Sequence, residues 1–122
     1  MESSLDIQVG GNHYKGLAYQ PVQFSVDMRL NFIQGNIVKY VSRYKNKNGI
    51  EDLKKVLHYS QLGVELHPEN FCLFIKVEEK VEEFVEKNGL DSVVGEIITA
   101  ACYQDWIKVT VGIKKIYEYD KD

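Results

Sequence analysis

The sequence predicts a small, mainly α-helical domain with an irregular, glycine-rich N-terminal segment. Apolar residues recur at helical spacing over several stretches. Stop signals separate those stretches: Asn46-Lys47-Asn48-Gly49, His67-Pro68 and Asn88-Gly89. A length of 122 residues with 44% hydrophobic and 27% charged side chains suits one domain with one modest core rather than a disordered chain. The expected organisation is a flexible leader at 1–8 and a single helical domain over 9–122.

Residues 9–21 read as loop, because Gly10, Gly11, Gly16 and Pro21 resist regular structure. Over residues 22–30, Val22, Phe24, Val26, Met28 and Leu30 alternate as a strand would, while Val22, Val26 and Leu30 also fit a helical face. A short helix is the favoured reading. Residues 36–45 read as a helix with Ile37, Val41 and Tyr44 on one face and Asn36, Lys39, Tyr40, Arg43 and Lys47 on the adjacent stripe. Gly49 suits the left-handed conformation after a helix end.

The next helix spans 50–66, with Glu51 and Asp52 in its first turn, where carboxylates complement the positive end of the helix dipole. Leu53, Val56, Leu57, Ser60 and Val64 form its expected buried side. His67-Pro68 ends it, since the residue before proline is pushed out of helical geometry. Residues 69–87 read as one strongly amphipathic helix with Phe74, Val77, Val81, Phe84 and Val85 inward. Asp91 or Ser92 then caps a helix reaching about residue 103 through Val94, Ile97, Ile98 and Ala101. In the last stretch, 106–119, the alternation of Ile107, Val109, Val111 and Ile113 competes with the helical spacing of Trp106, Ile113, Ile116 and Tyr117, and helix is favoured. No internal repeat is visible.

A net charge of −3 gives no global attraction to nucleic acid or anionic lipid, so anion binding has to come from a local cluster. The charge is polarised along the chain. Lys39, Arg43, Lys45, Lys47, Lys54 and Lys55 crowd one segment, and Glu78, Glu79, Glu82, Glu83, Glu86, Asp91 and Glu96 dominate another. Cys72 and Cys102 have neither CxxC spacing nor a histidine partner, so buried free thiols are expected rather than zinc or a disulfide. The N-terminus lacks the basic start and apolar run of a signal peptide, and no apolar run approaches the ~18 residues needed to cross a bilayer. The cytoplasm is the expected compartment, with no membrane association.

Three groups of residues can carry chemistry. The loop Gly10-Gly11-Asn12-His13-Tyr14-Lys15-Gly16 combines glycines that allow close backbone approach to an anion with the charge of Lys15 and the donor or proton carrier His13. It is not a Walker A loop, because Leu17 and Ala18 follow its last glycine. The stripe Asn36, Lys39, Tyr40 and Arg43, continued by Lys45 and Lys47, can grip phosphate, with Tyr40 and Tyr44 as stacking surfaces. A solvated basic face is the plain alternative. In the third group, Glu51, Lys55 and His58 share one face and Asp52, Lys55 and Tyr59 a neighbouring row. Glu51 or Asp52 can hold Mg²⁺ beside a phosphate or accept a proton, or else simply pair with the lysines one turn on. Glu79, Glu82, Glu83 and Glu86 also share a face, but no second acidic helix of matching spacing supplies further metal ligands, and a solvated face is expected.

Gly11-Asn12-His13-Tyr14, Gln20-Pro21, Gly35-Asn36-Ile37-Val38-Lys39-Tyr40-Val41-Ser42-Arg43-Tyr44, Gly49-Ile50-Glu51-Asp52-Leu53-Lys54-Lys55 and His58-Tyr59 together resemble a family of small phage proteins classed as a domain of unknown function. That family includes a nucleotide kinase of T-odd coliphages. The resemblance covers about residues 9–62, leaving 69–122 as a helical extension. It implies phosphoryl transfer from ATP or another nucleoside triphosphate, with Mg²⁺, to a deoxynucleoside monophosphate in the host cytoplasm. Phosphoryl transfer needs charge neutralisation and in-line positioning. The resemblance therefore implies Arg43, Glu51 and Asp52 as the catalytic set, the latter two as metal ligand or base. Substrate binding falls to His13, Tyr14, Lys15, Asn36, Lys39, Tyr40, Lys47 and His58. The competing readings are a non-catalytic phage effector that binds a nucleotide or a host protein, and a nucleic-acid binder, which the acidic total charge disfavours. A homo-oligomer that completes its site across a symmetric interface is expected.

Overall fold

The computed structural model describes residues 3–6, 17–46, 48–72 and 75–120, with backbone alone at 119 and 120. The glycine-rich loop at 10–16, and Lys47, lie outside the described residues. Among those described, all regular structure is helical: α1 (Pro21–Asp27), α2 (Phe32–Arg43), α3 (Ile50–Leu66), α4 (Val77–Asn88), α5 (Ser92–Cys102) and α6 (Trp106–Asp120), with single 3₁₀ turns at Ser4–Asp6 and Tyr44–Asn46. Both segments whose alternation also suited a strand are therefore helices, α1 and α6.

α2 begins four residues before the sequence reading placed it. Asn31 and Gln34 form a reciprocal capping box: Gln34 N–H donates to Asn31 Oδ1 at 2.9 Å and Asn31 N–H to Gln34 Oε1 at 2.9 Å. The bounds of α3 agree with expectation. Gly49, at φ 50°, turns the chain into it, and His67, at φ 48°, ends it in the left-handed conformation just before Pro68.

The helix expected from residue 69 starts only at Val77. A set of amides pins the intervening segment instead. Gln104 Nε2 donates to Pro68 O, Asn31 Nδ2 to Glu69 O and Asn70 Nδ2 to Cys102 O. Gln34, fully buried, has its Nε2 within reach of Ala101 O at 3.1 Å, Cys102 O at 3.2 Å and Asn70 Oδ1 at 3.2 Å. Backbone carbonyls and amides satisfied by side chains have no need of a helix. Phe74, expected inward, lies outside the described residues. Cys72 and Cys102 are buried free thiols, as expected, and Cys72 Sγ donates to Cys102 O at 2.9 Å. Hydrogen bonding with Cys102 lowers the Cys72 thiol pKa; the same contact together with burial pushes that of Cys102 far up.

α2 packs against α1, α3 and α5; α5 packs against α2, α4 and α6; and α3 meets α6. Thus α2, α3, α6 and α5 close a four-helix ring, with α1 outside α2 and α4 outside α5. Their buried apolar side chains form one continuous cluster. The two triplets repeat one pattern that the sequence did not announce. Sixty positions separate Phe24 from Phe84, Leu30 from Leu90, Asn31 from Asp91, Gly35 from Gly95 and Ile37 from Ile97. The turns before α2 and α5 both pass through positive φ, 55° at Arg29 and 61° at Gly89. Phe24 and Phe84 meet between the triplets with ring centroids 4.7 Å apart. The likeness lies in buried positions and turns; the exposed residues have diverged, which hides it from a pass along the chain.

Close helix approach depends on two glycines. A Cβ on Gly63 would lie 2.5 Å from the Trp106 ring, and one on Gly112 2.3 Å from Ile97. Gly63 faces the neighbouring helix where the sequence reading had placed Val64, which is 51% exposed. Gly112→Ala is expected to destabilise the fold by about 1–3 kcal/mol in urea unfolding, although alanine is the better helix former. Gly35→Ala, whose Cβ meets only Ser25 Oγ at 3.4 Å, is expected to be neutral or stabilising.

Tyr19, buried between Phe24 and Phe84, donates its hydroxyl to Asp27 at 2.5 Å. Burial first, and then Asp27, push its phenol pKa far above the usual value near 10. The unfolded chain therefore loses this proton at a pH where the folded chain keeps it, so stability falls as pH rises beyond about 10. Alkaline melts are expected to show a shallower decline for Tyr19→Phe than for the wild type.

Candidate functional site

α2 and α3 form a helical hairpin, and one ion pair joins them inside it. Asp52 is fully buried and Arg43 is 7% exposed. Arg43 donates from Nε to Asp52 Oδ2 and from Nη2 to Oδ1, each at 3.2 Å. Such a two-pronged contact fixes the plane of the guanidinium as well as its position. Lys55 Nζ approaches Asp52 Oδ1 at 3.8 Å from the solvent side.

Outside this pair lies the ring of Tyr40, half-buried. The Arg43 guanidinium carbon stands 4.7 Å from its centroid, Lys55 Nζ 4.8 Å and Lys39 Nζ 5.2 Å. Each distance is within cation–π range. Three cations thus surround one aromatic ring, and the one carboxylate among them, Asp52, faces inward. Among the described residues Lys39 has no carboxylate partner. Tyr59, one turn beyond Lys55 on α3, lies nearly parallel to Tyr40, with centroids 6.1 Å apart and planes 16° apart. Phe32 meets Tyr59 edge to face at 6.0 Å, and His58 flanks Tyr59 at 6.1 Å. The hairpin therefore presents an aromatic platform edged by positive charge.

Beside Lys39, a groove of about 340 Å³ runs between α1 and α2, lined by Gln20, Pro21, Val22, Ser25, Gly35 and Asn36. Asn36 Nδ2 is held by Phe32 O at 2.8 Å, which fixes the amide at the rim. The Gln-Pro and Gly-Asn pairs singled out in the sequence thus line one groove, although fifteen positions separate them.

The structure brings Asn36, Lys39, Tyr40 and Arg43 together and places the exposed His58 at the margin. His13, Tyr14, Lys15 and Lys47 lie outside the described residues. Glu51 and Asp52 do not converge. Consecutive helical residues project about 100° apart: Glu51 is exposed and pairs with Lys54 at 3.4 Å, whereas Asp52 points inward with both oxygens on Arg43. The pair does not fit a shared Mg²⁺ site, and Asp52 is not placed to take a proton from a substrate. Among the described residues no three His, Cys, Asp or Glu side chains gather as metal ligands.

Phe32 joins the platform because α2 starts at this residue, four positions before the start that the sequence reading gives. The Asn31-x-x-Gln34 spacing was the available signal. Lys55 and Tyr59 were placed in a row with Asp52, and that row faces α2. Among the described residues no helix is long and apolar enough to cross a membrane.

The pair itself yields a test. Arg43→Ala leaves the buried Asp52 carboxylate with no partner but Lys55 at 3.8 Å and is expected to cost about 3 kcal/mol in denaturant unfolding. Arg43→Met combined with Asp52→Leu, which removes both charges, is expected to recover most of that loss.

Residues 10–61 match the family model described as a protein of unknown function (DUF3310). None of the curated proteins and none of the solved structures compared matches the chain. A DUF3310 domain of unknown function thus spans residues 10–61, the segment that carries the α1–α2 groove and the cation-edged platform of the α2–α3 hairpin.

Proposed function

We propose that this chain binds a phosphorylated nucleotide on the α2–α3 face, with the base against the Tyr40–Tyr59 platform and the phosphates among Lys39, Lys55 and Arg43. The observation that carries this reading is the gathering of three cations around the Tyr40 ring. Arg43 and Lys55 share the single carboxylate of Asp52, and Lys39 has no carboxylate partner among the described residues, so an anion placed beside Lys39 and Lys55 gains charge-assisted hydrogen bonds. A parallel pair of tyrosines adds a surface suited to a flat heterocycle. The resemblance to a family that includes a nucleotide kinase points to the same ligand class.

In this reading Arg43 is oriented by Asp52, and the role of Asp52 is positional. Phosphoryl transfer from ATP or another nucleoside triphosphate to a deoxynucleoside monophosphate extends the reading. Its Mg²⁺ arrives with the nucleotide, since Asp52 has both oxygens on Arg43 and Glu51 pairs outward with Lys54. A non-catalytic effector would retain nucleotide without forming a diphosphate product. The exposed Phe32, 76% accessible and in line with Tyr59 and Tyr40, favours one further reading: stacking of successive bases of a single strand.

Calorimetric and thermal-shift titrations with deoxynucleoside monophosphates and ATP, with and without Mg²⁺, test the proposal. Binding is expected to raise the melting temperature by mass action. Lys39→Gln and Lys55→Gln should each weaken it roughly 10–100-fold, the equivalent of about 1.5–3 kcal/mol for a hydrogen bond to a charged group. Tyr40→Ser should weaken it too. Lack of any heat or melting shift at millimolar nucleotide sinks the proposal. A steep loss of affinity with salt for an oligonucleotide, but not for mononucleotides, transfers the site to single-stranded nucleic acid.

A further inference from the structure

The segment between α3 and α4 brings Cys72 against the end of α5. Cys72 and Cys102 are both fully buried and free, and they are in contact: Cys72 Sγ donates to Cys102 O at 2.9 Å, and the two thiols hydrogen-bond to each other. The proposed nucleotide site uses neither. Solvent is close all the same, because the preceding residue, Phe71, is 56% exposed. No helix holds this stretch, since α3 ends at Leu66 and α4 begins at Val77. Its anchors are the side-chain amides of Gln104, Asn31 and Asn70.

A buried thiol that gives up its proton strands the acceptors it served unless each has another donor. Here each does. Cys102 O keeps Asn70 Nδ2 at 2.8 Å, and Asn70 Oδ1, which Cys72 Sγ approaches at 3.1 Å, keeps the Cys72 backbone N–H at 3.2 Å. Both thiol protons can therefore leave without orphaning a buried polar atom. The Gln34 amide nitrogen, 3.9 Å from Cys72 Sγ, adds a donor for a sulfur that carries negative charge. The two sulfurs are unequal. The hydrogen bond with Cys102 lowers the Cys72 pKa, whereas the same contact and burial push that of Cys102 up. Cys72 is the readier thiolate, and Cys102 holds its proton.

We propose that Cys72 and Cys102 form a reversible oxidation site, in which a small hydroperoxide converts the two touching thiols into a disulfide within the chain. The Cys72 thiolate attacks one oxygen of the peroxide. A sulfur–oxygen bond forms, the oxygen–oxygen bond breaks, and the leaving oxygen takes up the proton that the Cys72 thiol gave up. The Cys102 sulfur then attacks the Cys72 sulfur. The disulfide forms, the sulfur–oxygen bond breaks, and the departing hydroxyl leaves as water with the Cys102 proton. The two thiols lose two electrons, and the peroxide gains them. A thiol reductant reverses the change by exchange. The bond closes a loop around α4 and α5, so it restricts the unfolded chain and stabilises the fold.

Intact mass and non-reducing peptide mapping test the site on the full chain, reduced, freed of reductant and exposed to hydrogen peroxide in native buffer. The wild type is expected to lose two hydrogens, to resist alkylation at both cysteines and to yield a peptide in which Cys72 is linked to Cys102. Dithiothreitol should restore both thiols. The bond is expected to form at least about tenfold faster in native buffer than in urea, because the fold holds the sulfurs together. It should raise the melting temperature by about 5–10 °C. Cys102→Ser is expected to stop at a sulfenic acid on Cys72, trapped by dimedone, and Cys72→Ser to leave Cys102 reduced. Two alkylatable thiols after peroxide, a bond between chains in place of one within the chain, a bond that forms only in urea, or one that leaves the melting temperature unchanged overturns the proposal. The wild-type masses decide the matter where a serine variant fails to fold.

Discussion

A fully buried carboxylate has to be matched within the protein, and the match between Asp52 and Arg43 decides how the N-terminal half is built. Taking both charges out of water costs several kcal/mol per ion, which only good geometry and further hydrogen bonds recover. The pair therefore adds little net stability over an apolar substitute. What it fixes is register. The two-pronged contact accepts one rotation of α2 against α3, and that rotation turns Lys39 and Tyr40 towards Lys55 and Tyr59 rather than away from them. The same arginine then serves as one of the three cations on the Tyr40 ring. Structure and candidate site share a residue, so loss of binding in an Arg43 variant says little about contact with ligand.

A second polar device works at the other end of α2. Gln34 has no exposed surface, and its amide joins the start of α2, the end of α5 and the segment after Pro68. No buried side-chain nitrogen or oxygen among the described residues lacks a partner. A buried network of this kind specifies one arrangement of its parts, because any slip leaves a desolvated amide unpaired. α2 is thus clamped at both ends, by an amide cluster near Asn31 and an ion pair near Asp52, and the platform lies between the clamps.

Where the code was local, it could be read from the chain. α3 has its stop at His67-Pro68 and its acidic first turn written in adjacent residues, and its limits were legible to the residue. The stripe Asn36, Lys39, Tyr40 and Arg43 was legible because helical spacing alone puts those side chains on one side. Contacts between distant residues were not legible. The segment 69–76 has a helical pattern of its own, and only Gln104, Asn31 and Cys102, more than thirty positions away, divert its first half. Asp52 reads equally well as a solvated first-turn carboxylate or as a buried partner, and the presence of α2 over it decides. Phe32 belongs to α2 because Asn31 and Gln34 set the helix start, a signal local to the Asn-x-x-Gln spacing.

The repeated triplet gives these observations a common frame. One plan, an outer helix, a glycine-bearing inner helix and a longer third helix, is used twice, with the same buried residue at corresponding positions in Phe24 and Phe84 and in Ile37 and Ile97. The solvent-facing positions differ between the triplets, as exposed residues can at little cost in stability. In the first triplet they are lysines and tyrosines, and in the second glutamates, threonine and exposed isoleucine. A four-helix ring needs both triplets to close its core, so neither surface can be discarded without the other, while each can take on a separate task. The matched domain at 10–61 covers the first triplet up to the middle of α3. Its apolar face is covered here by α5 and α6, so the second triplet adds burial to a three-helix unit whose length alone makes for a marginal core.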